Sequence, residues 1–283
     1  MNVCAPGKKF ENGSCLTIDD LLDIVNNNNL YKNKINTTNK KHLLNKVNNI
    51  MKDNYNCKDN DQVCWVESNL VKNMRNSSIE KYTLRPTGPS SKYEWLSTTD
   101  INKVMLQYEN KYNDFKFFGA VPYDFNELPQ LEVYNLNFSN LLKSNKNKIG
   151  MVINLDTHTQ SGSHWVALYS NLEQNKIYFF DSFGKKPGKR ITIFIRNLLT
   201  FLYNNKNNTN INIKDFLSER YTNNNNFDVR YNKKQHQFKN SECGVYSMNF
   251  IIRLLNGETF DNIVNNVTRD VEMNNCRKTY FRS

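Results

Sequence analysis

Apolar residues recur at helical spacing three times in the first third of the chain. In Thr17–Val25 a capping Thr17 and two first-turn carboxylates, Asp19 and Asp20, precede the apolar positions and suit the positive end of a helix. The asparagine tract that begins at Asn26 ends this period. Lys40 to Met51 places Leu43, Leu44, Val47 and Ile50 on one face, and Asp61 to Met74 does the same with Val63, Val66, Leu70 and Val71. Arg85-Pro-Thr-Gly-Pro-Ser-Ser91 then interrupts any regular element and reads as a linker. The pattern predicts a mainly helical region over 1–85 and a separate domain over 86–283.

Past the linker the spacing changes repeatedly. A helix capped by Ser97 or Thr98 is expected to reach Glu109. Phe115 to Phe125 is an aromatic strand stopped by Pro122, and Lys148 to Leu155 is an apolar run of the buried-strand type. Gly162–Tyr169 and Lys176–Gly184 are rich in β-branched and aromatic residues, and the polar stretch Ser170–Asn175 between them is of hairpin length. A helix over Pro187–Asn204 carries Ile191, Phe194, Leu198 and Leu202, and Phe227–Tyr231 reads as a strand. Val245, Met248, Asn249, Ile252 and Leu255 mark a buried helix face opening at Cys243, with Asn240, Ser241 and Glu242 as helix-start residues. Phe260–Val267 is one more amphipathic helix, and the residues beyond it are expected to be peripheral.

Composition narrows the class. A chain of 283 residues with 17 Phe and 15 Tyr can bury a sizeable core. It has no run of apolar residues long enough to span a membrane and no apolar signal-peptide segment after Met1, so neither membrane insertion nor secretion is expected. The net charge of +11 attracts polyanions without specifying one. Lys185, Lys186, Lys189 and Arg190 are the candidate contact for such a polyanion, non-specific DNA included. A solvated helix start is the commoner meaning of such a run, and an AT-rich genome supplies Lys and Asn freely. Of six cysteines, Cys4, Cys15, Cys57 and Cys64 lie early, at spacings wider than the usual zinc knuckle. Free thiols in a reducing compartment are the expectation, with no metal and no cofactor.

The chemistry gathers at four positions. Cys243 stands where a helix begins, and unpaired backbone N–H groups with the positive dipole end favour a nucleophilic sulfur there. His164 opens one strand of the expected hairpin and Asp181 closes the other, so pairing would bring a base to its orienter. Gln237 lies six residues before Cys243. His158 sits on a polar loop tip with no orienter expected near it and is set aside as the base. His236 has no partner at strand spacing, and His42 is expected on the surface.

His164-Trp165, an aspartate seventeen residues later and Gln237-x5-Cys243-Gly244 together resemble the motif of the ubiquitin-like (SUMO-type) protease superfamily of cysteine peptidases, which includes the adenovirus protease and the polyprotein proteases of large DNA viruses. The resemblance spans about residues 93 to 256. It implies an α+β fold, a SUMO-protease or adenain core with a mixed sheet flanked by helices. It also implies roles: Cys243 as nucleophile, His164 as base, Asp181 as orienter and Gln237 as oxyanion donor. Trp95 and Trp165 match the family's two tryptophans that sandwich a Gly-Gly substrate end, a slot only residues without a β-carbon can thread. The stretch Trp95–Phe125 resembles the giant-virus branch.

The implied activity is that of a cysteine endopeptidase cutting after Gly-Gly-type sites in viral structural polyproteins during virion maturation. Its implied location is the virion and the cytoplasmic viral factory. A SUMO or ubiquitin-like deconjugating protease is the alternative. A basic nucleic-acid-binding protein with vestigial site residues is a third reading. An acyltransferase is disfavoured, because such relatives usually carry Glu where Asp181 stands.

Overall fold

The coordinates are a computed structural model in which residues 3–28, 34–74, 78–212 and 227–282 are described. The chain divides into two compact units, Met1–Gly88 with Lys278–Ser283, and Pro89–Arg277.

The first unit is helical. Helix α1 (Ile18–Asn26) starts at a reciprocal cap, in which Thr17 accepts from the Asp20 amide while Asp20 accepts from that of Thr17. Helix α2 (Lys40–Tyr55) buries Leu43, Val47, Ile50 and Met51 against Leu21, Ile24 and Val25 of the same core. The period expected over 61–74 is split into α3 (Gln62–Glu67) and α4 (Asn69–Asn73). Ser68 between them is extended, its hydroxyl donates to the Trp65 carbonyl at 2.8 Å, and it caps the second piece. The break buries Trp65 and leaves Val63 exposed. A short α5 (Ile79–Tyr82) follows.

The cysteines of this unit correct the expectation of free thiols. Cys4 is bonded to Cys15 and Cys57 to Cys64, with Cα separations of 5.4 and 5.7 Å. Spacings too wide for a zinc knuckle thus bring the cysteine backbones within bridging reach. In a unit this small the two links restrict the unfolded chain where the core alone is modest.

The second unit is built on a five-stranded sheet in the order β1 (Phe115–Val121), β2 (Lys148–Asn154), β3 (Trp165–Asn171), β4 (Lys176–Phe180) and β5 (Asp228–Tyr231). The two outer pairings are parallel and the two inner ones antiparallel, so the sheet is mixed. Strand β3 is buried along its whole length. Helix α6 (Thr98–Lys111) begins at a second reciprocal cap, Ser97 with Asp100. After α7 (Phe138–Lys143) and the central hairpin comes α8 (Lys189–Asn207), whose Ile191, Leu198 and Leu202 pack with Ile149, Met151, Ile153, Val166 and Leu168 of the sheet. The alternate side chains face the other way. There Phe180 stacks on Phe250 of α9 (Cys243–Leu255), with ring centroids 4.7 Å apart. A β-carbon on Gly150 would strike Phe115 and come within 3.3 Å of Ile251, so β2 carries glycine where α9 crosses it.

Two further helices, α10 (Phe260–Asn265) and α11 (Asp270–Tyr280), follow. The segment expected to be peripheral is not. In α11, Asn274 and Arg277 both hold Glu242, the residue before Cys243. The buried carboxylate and guanidinium need each other's charge, a demand the periodicity of residues 270–280 does not reveal.

Candidate active site

The central hairpin places the base and its orienter. In its register Ala167 faces Phe180 and Leu168 faces Phe179, so His164, one residue before β3, lies beside the residues that follow β4. His164 Nε2 is 2.7 Å from Oδ1 of Asp181, a carboxylate 2 % exposed. The same oxygen accepts the Phe183 amide at 2.8 Å. The Phe183 ring stacks on the imidazole, with centroids 4.6 Å apart and planes inclined by 27°.

Cys243 is the first residue of α9, 3 % exposed, and its thiol is free. No side chain caps α9. Asn240, Ser241 and Glu242 therefore do not satisfy its first amides. Glu242 instead accepts from Asn274 at 2.9 Å, from the Ser241 hydroxyl at 3.0 Å and from Arg277 at 2.8 Å. The amides at the head of α9 are left for the site, where they favour negative charge. Gly244 permits the close fit of this turn: a β-carbon there would lie 3.1 Å from that of Leu96 and 3.3 Å from the Trp165 ring.

His164 reaches Cys243 as well as Asp181. Burial opposes a charge on the imidazole, but hydrogen bonds to Asp181 and to Cys243, with their electrostatic attraction, outweigh it and raise its pKa to about 9. Since Nε2 is engaged by Asp181, Nδ1 is the nitrogen left to take a proton from sulfur.

Gln237 is 1 % exposed and held at both ends of its amide. Its Oε1 accepts the Ser182 hydroxyl at 2.6 Å, and one N–H of Nε2 goes to the Lys239 carbonyl at 2.5 Å. A primary amide has a second N–H, and that one remains for a ligand. Ser182 also accepts the amides of His236 and Gln237 through its carbonyl, at 2.8 and 2.9 Å. It ties the end of β4 to the glutamine loop.

Trp165 and Trp95 take unequal places. Trp165 is 7 % exposed and its indole N–H donates to the Leu96 carbonyl at 3.0 Å, whereas Trp95 is 50 % exposed. Both line a cleft of about 580 Å³, together with His164 and with Ala120, Pro122 and Leu128.

His158 lines the same cleft and corrects the reason for setting it aside. It has a carboxylate partner: Nδ1 lies 2.6 Å from Asp124 Oδ2, and its backbone amide donates to Asp124 Oδ1 at 2.9 Å. The turn after β1 brings that carboxylate in, and a chain separation of 34 residues hid it. The pair fastens the loop before β3, while His164 is the histidine whose pKa Cys243 helps to raise. His236 is buried edge-on to Phe180 at 5.2 Å, and burial lowers its pKa. His42 is exposed.

Sequence reasoning missed Asn232, Ser182, Phe183, Glu242 and Arg277. Asn232 is 1 % exposed and bonds to Asp181 from 51 positions away, a separation that leaves no local signal. Ser182 and Phe183 were legible only as neighbours of Asp181. Within the basic cluster, Arg190 bonds to Glu127 and Asn126, while Lys185, Lys186 and Lys189 are exposed. Among the described residues no three His, Cys, Asp or Glu side chains form a set that could hold a metal, and no helix is long and apolar enough to cross a membrane.

Comparison with known proteins agrees with this chemistry. The Ulp1 protease family, C-terminal catalytic domain, matches residues 141–282, a span that holds His164, Asp181, Gln237 and Cys243 and leaves Trp95 outside. Over its full length the chain is 37 % identical to a protein of Acanthamoeba polyphaga mimivirus named as a thiol protease, of which 94 % is covered. It is 24 % identical, over 69 % of its length and 70 % of the relative's, to the SUMO-1 cysteine protease of African swine fever virus. A crystal structure of the African swine fever virus protease shares the fold, with a TM-score of 0.60 at 19 % identity over 90 % of this chain and 94 % of that one.

Proposed function

Because the chain belongs to the Ulp1 protease family and is a cysteine peptidase, we propose that it is an endopeptidase that cuts after Gly-Gly-type sites with Cys243, His164, Asp181 and Gln237. The observation that carries this reading is the single imidazole of His164, bonded to Asp181 on one nitrogen and held in its charged form by Asp181 and Cys243 together.

The proton of the Cys243 thiol passes to His164 Nδ1 before the attack, since an imidazole with a pKa of about 9 holds it at neutral pH, and the sulfur then attacks the scissile carbonyl carbon. Asp181 holds the imidazole by Nε2 and stabilises it while it is charged. The oxyanion that forms takes hydrogen bonds from the second Nε2–H of Gln237 and from the Cys243 amide at the head of α9. One such donor is worth about 3 kcal/mol in the transition state. As the tetrahedral intermediate collapses, imidazolium protonates the leaving amine and a thioester remains on Cys243. Water, deprotonated by His164, then hydrolyses the thioester and restores the thiol.

The Gly-Gly preference is supported by the wall that Trp165 and Trp95 make beside His164. A chain passing close under an indole is easiest to seat where it carries no β-carbon. Viral structural polyproteins are the proposed substrates, cut during virion maturation in the virion and the cytoplasmic viral factory. The named relatives are both viral. Non-specific DNA contact through the basic surface belongs to the same proposal. A second reading, removal of SUMO or a ubiquitin-like modifier, is favoured by the name of the African swine fever virus relative.

Turnover of Gly-Gly-x peptides and of SUMO conjugates by the purified chain, measured side by side, tests the proposal. Cleavage of the peptides after the second glycine, lost when either glycine becomes leucine, is expected. Efficient cleavage of the leucine peptides would remove the Gly-Gly reading, and turnover of the conjugates alone would select the second one.

A further inference from the structure

Two loops beyond His164 carry charge that the reaction does not use. Residues 182–189 and 232–241 contain six lysines, Lys185, Lys186, Lys189, Lys233, Lys234 and Lys239, and no Asp or Glu. All six are exposed, and among the described residues no carboxylate forms an ion pair with any of them. Local charge of one sign with no partner is unusual even for a chain of net charge +11, whose other basic groups include paired Arg190, Arg230, Arg253 and Arg277.

The loops form one surface. Asn232 Nδ2 donates to the carbonyls of Asp181 and Lys234 at 2.7 and 3.0 Å, and the Ser182 carbonyl takes two amides from residues 236 and 237. A β-carbon on Gly184 would lie 2.9 Å from the Lys233 carbonyl oxygen, and the φ of +73° there also favours glycine. Lys185 and Lys186 are therefore carried on a backbone pressed against that of Lys233 and Lys234. Lys185 Nζ sits 5.7 Å from the centre of the Phe183 ring, which in turn stacks on His164. At the far end Asp270 accepts the amides of Phe238 and Lys239.

The direction of the substrate follows from the cleft. His164 is part of the lining of the Trp95–Trp165 cleft, and among the described residues that lining includes none of the six lysines. If that cleft holds the glycines before the scissile bond, the chain after it leaves past Phe183 onto the lysine surface. From this arrangement, and resting on the endopeptidase reading above, we infer that Lys185, Lys186, Lys233 and Lys234 form a docking surface for an acidic polypeptide segment on the leaving-group side of the scissile bond. The position beside the reacting carbonyl favours the substrate's own chain over a free polyanion. Such rim charges act mainly on encounter and selectivity, so they alter kcat/KM and its salt dependence more than the chemical step.

The experiment uses the full chain and three substrates: a short Gly-Gly amide of a coumarin dye, a Gly-Gly peptide followed by Glu-rich sequence, and the same peptide with Gln for Glu. The Glu peptide is expected to be cut with kcat/KM roughly tenfold above the Gln peptide at low salt, a difference that closes at about 0.5 M salt. In K185E/K186E/K233E/K234E the preference is expected to disappear or reverse, with turnover of the coumarin amide unchanged; a Lys-to-Gln set at the same positions gives the neutral intermediate. Equal rates on Glu and Gln peptides with the coumarin amide still cut would overturn the inference and leave the peptidase reading intact. Failure to cut the coumarin amide at all would instead strike the peptidase reading. If short duplex DNA binds the wild type and not the charge-reversed chain while peptide charge has no effect, the surface belongs to nucleic acid and the inference falls.

Discussion

Asn232 holds Asp181 by the backbone on both sides: its Oδ1 accepts the Asp181 amide at 2.9 Å and its Nδ2 donates to the Asp181 carbonyl at 2.7 Å. The carboxylate bonded to His164 is thus held through its own main chain, and its Oδ1 also accepts the Phe183 amide. Replacing Asn232 by alanine strands a buried amide and a buried carbonyl, at a cost of about 1–3 kcal/mol in stability. The orienter also loses its register, and kcat is expected to fall roughly tenfold, the worth of about 1.4 kcal/mol. Thermal unfolding and peptide turnover of Asn232→Ala check both. A variant with full kcat and lowered stability would make the clamp purely structural.

The charge on His164 predicts a pH dependence with a definite sign. Its pKa is raised from 6.5 to about 9 by Asp181 and Cys243 against the opposing effect of burial. A base whose folded pKa lies above its unfolded one stabilises the fold fully below the unfolded pKa, and that contribution is lost as pH rises through the folded one. Stability is expected to decline between about pH 6.5 and 9, and the basic limb of kcat/KM to lie near the upper end of that window. Denaturant titrations of wild type and His164→Ala across this range measure it. The mutant should lack the decline.

The two disulfides give the first unit a redox-dependent stability. Cys4–Cys15 and Cys57–Cys64 close short loops, and each is expected to contribute about 2–3 kcal/mol. Unfolding of the wild type with and without a reducing agent, compared with Cys→Ser pairs, tests this. A reductant that leaves the unfolding curve unchanged would show that the cysteines are not paired in solution.

Several features were legible in the residues, for identifiable reasons. The hairpin was legible because Gly162–Tyr169 and Lys176–Gly184 carry strand-forming residues around a short polar turn, and their pairing brings His164 to Asp181. The head of α9 was legible because its periodicity begins at Cys243. What escaped depends on long-range contact. The bond from Asn232 to Asp181 spans 51 positions and that from Arg277 to Glu242 spans 35, and neither leaves a periodic trace. His158 looked unpartnered because its carboxylate, Asp124, arrives on the turn after β1. The cysteine pairs escaped because spacing alone does not determine which thiols meet. The helix period over 61–74 misled at Ser68, where a hydroxyl that can bond to the backbone competes with helix continuation.

The proposed reaction depends on one imidazole, that of His164, withdrawing the proton of Cys243, and covalent capture reads that step most directly. A peptide ending in Gly-Gly with a thiol-reactive vinyl sulfone, incubated with the full chain and followed by mass spectrometry, is expected to modify Cys243 and to leave the other free thiol, Cys276, untouched. In His164→Ala the rate of that modification is expected to fall by about two orders of magnitude or more, the usual worth of a positioned general base. Modification of Cys243 at an undiminished rate in His164→Ala, or modification at Cys276 instead, would contradict the account.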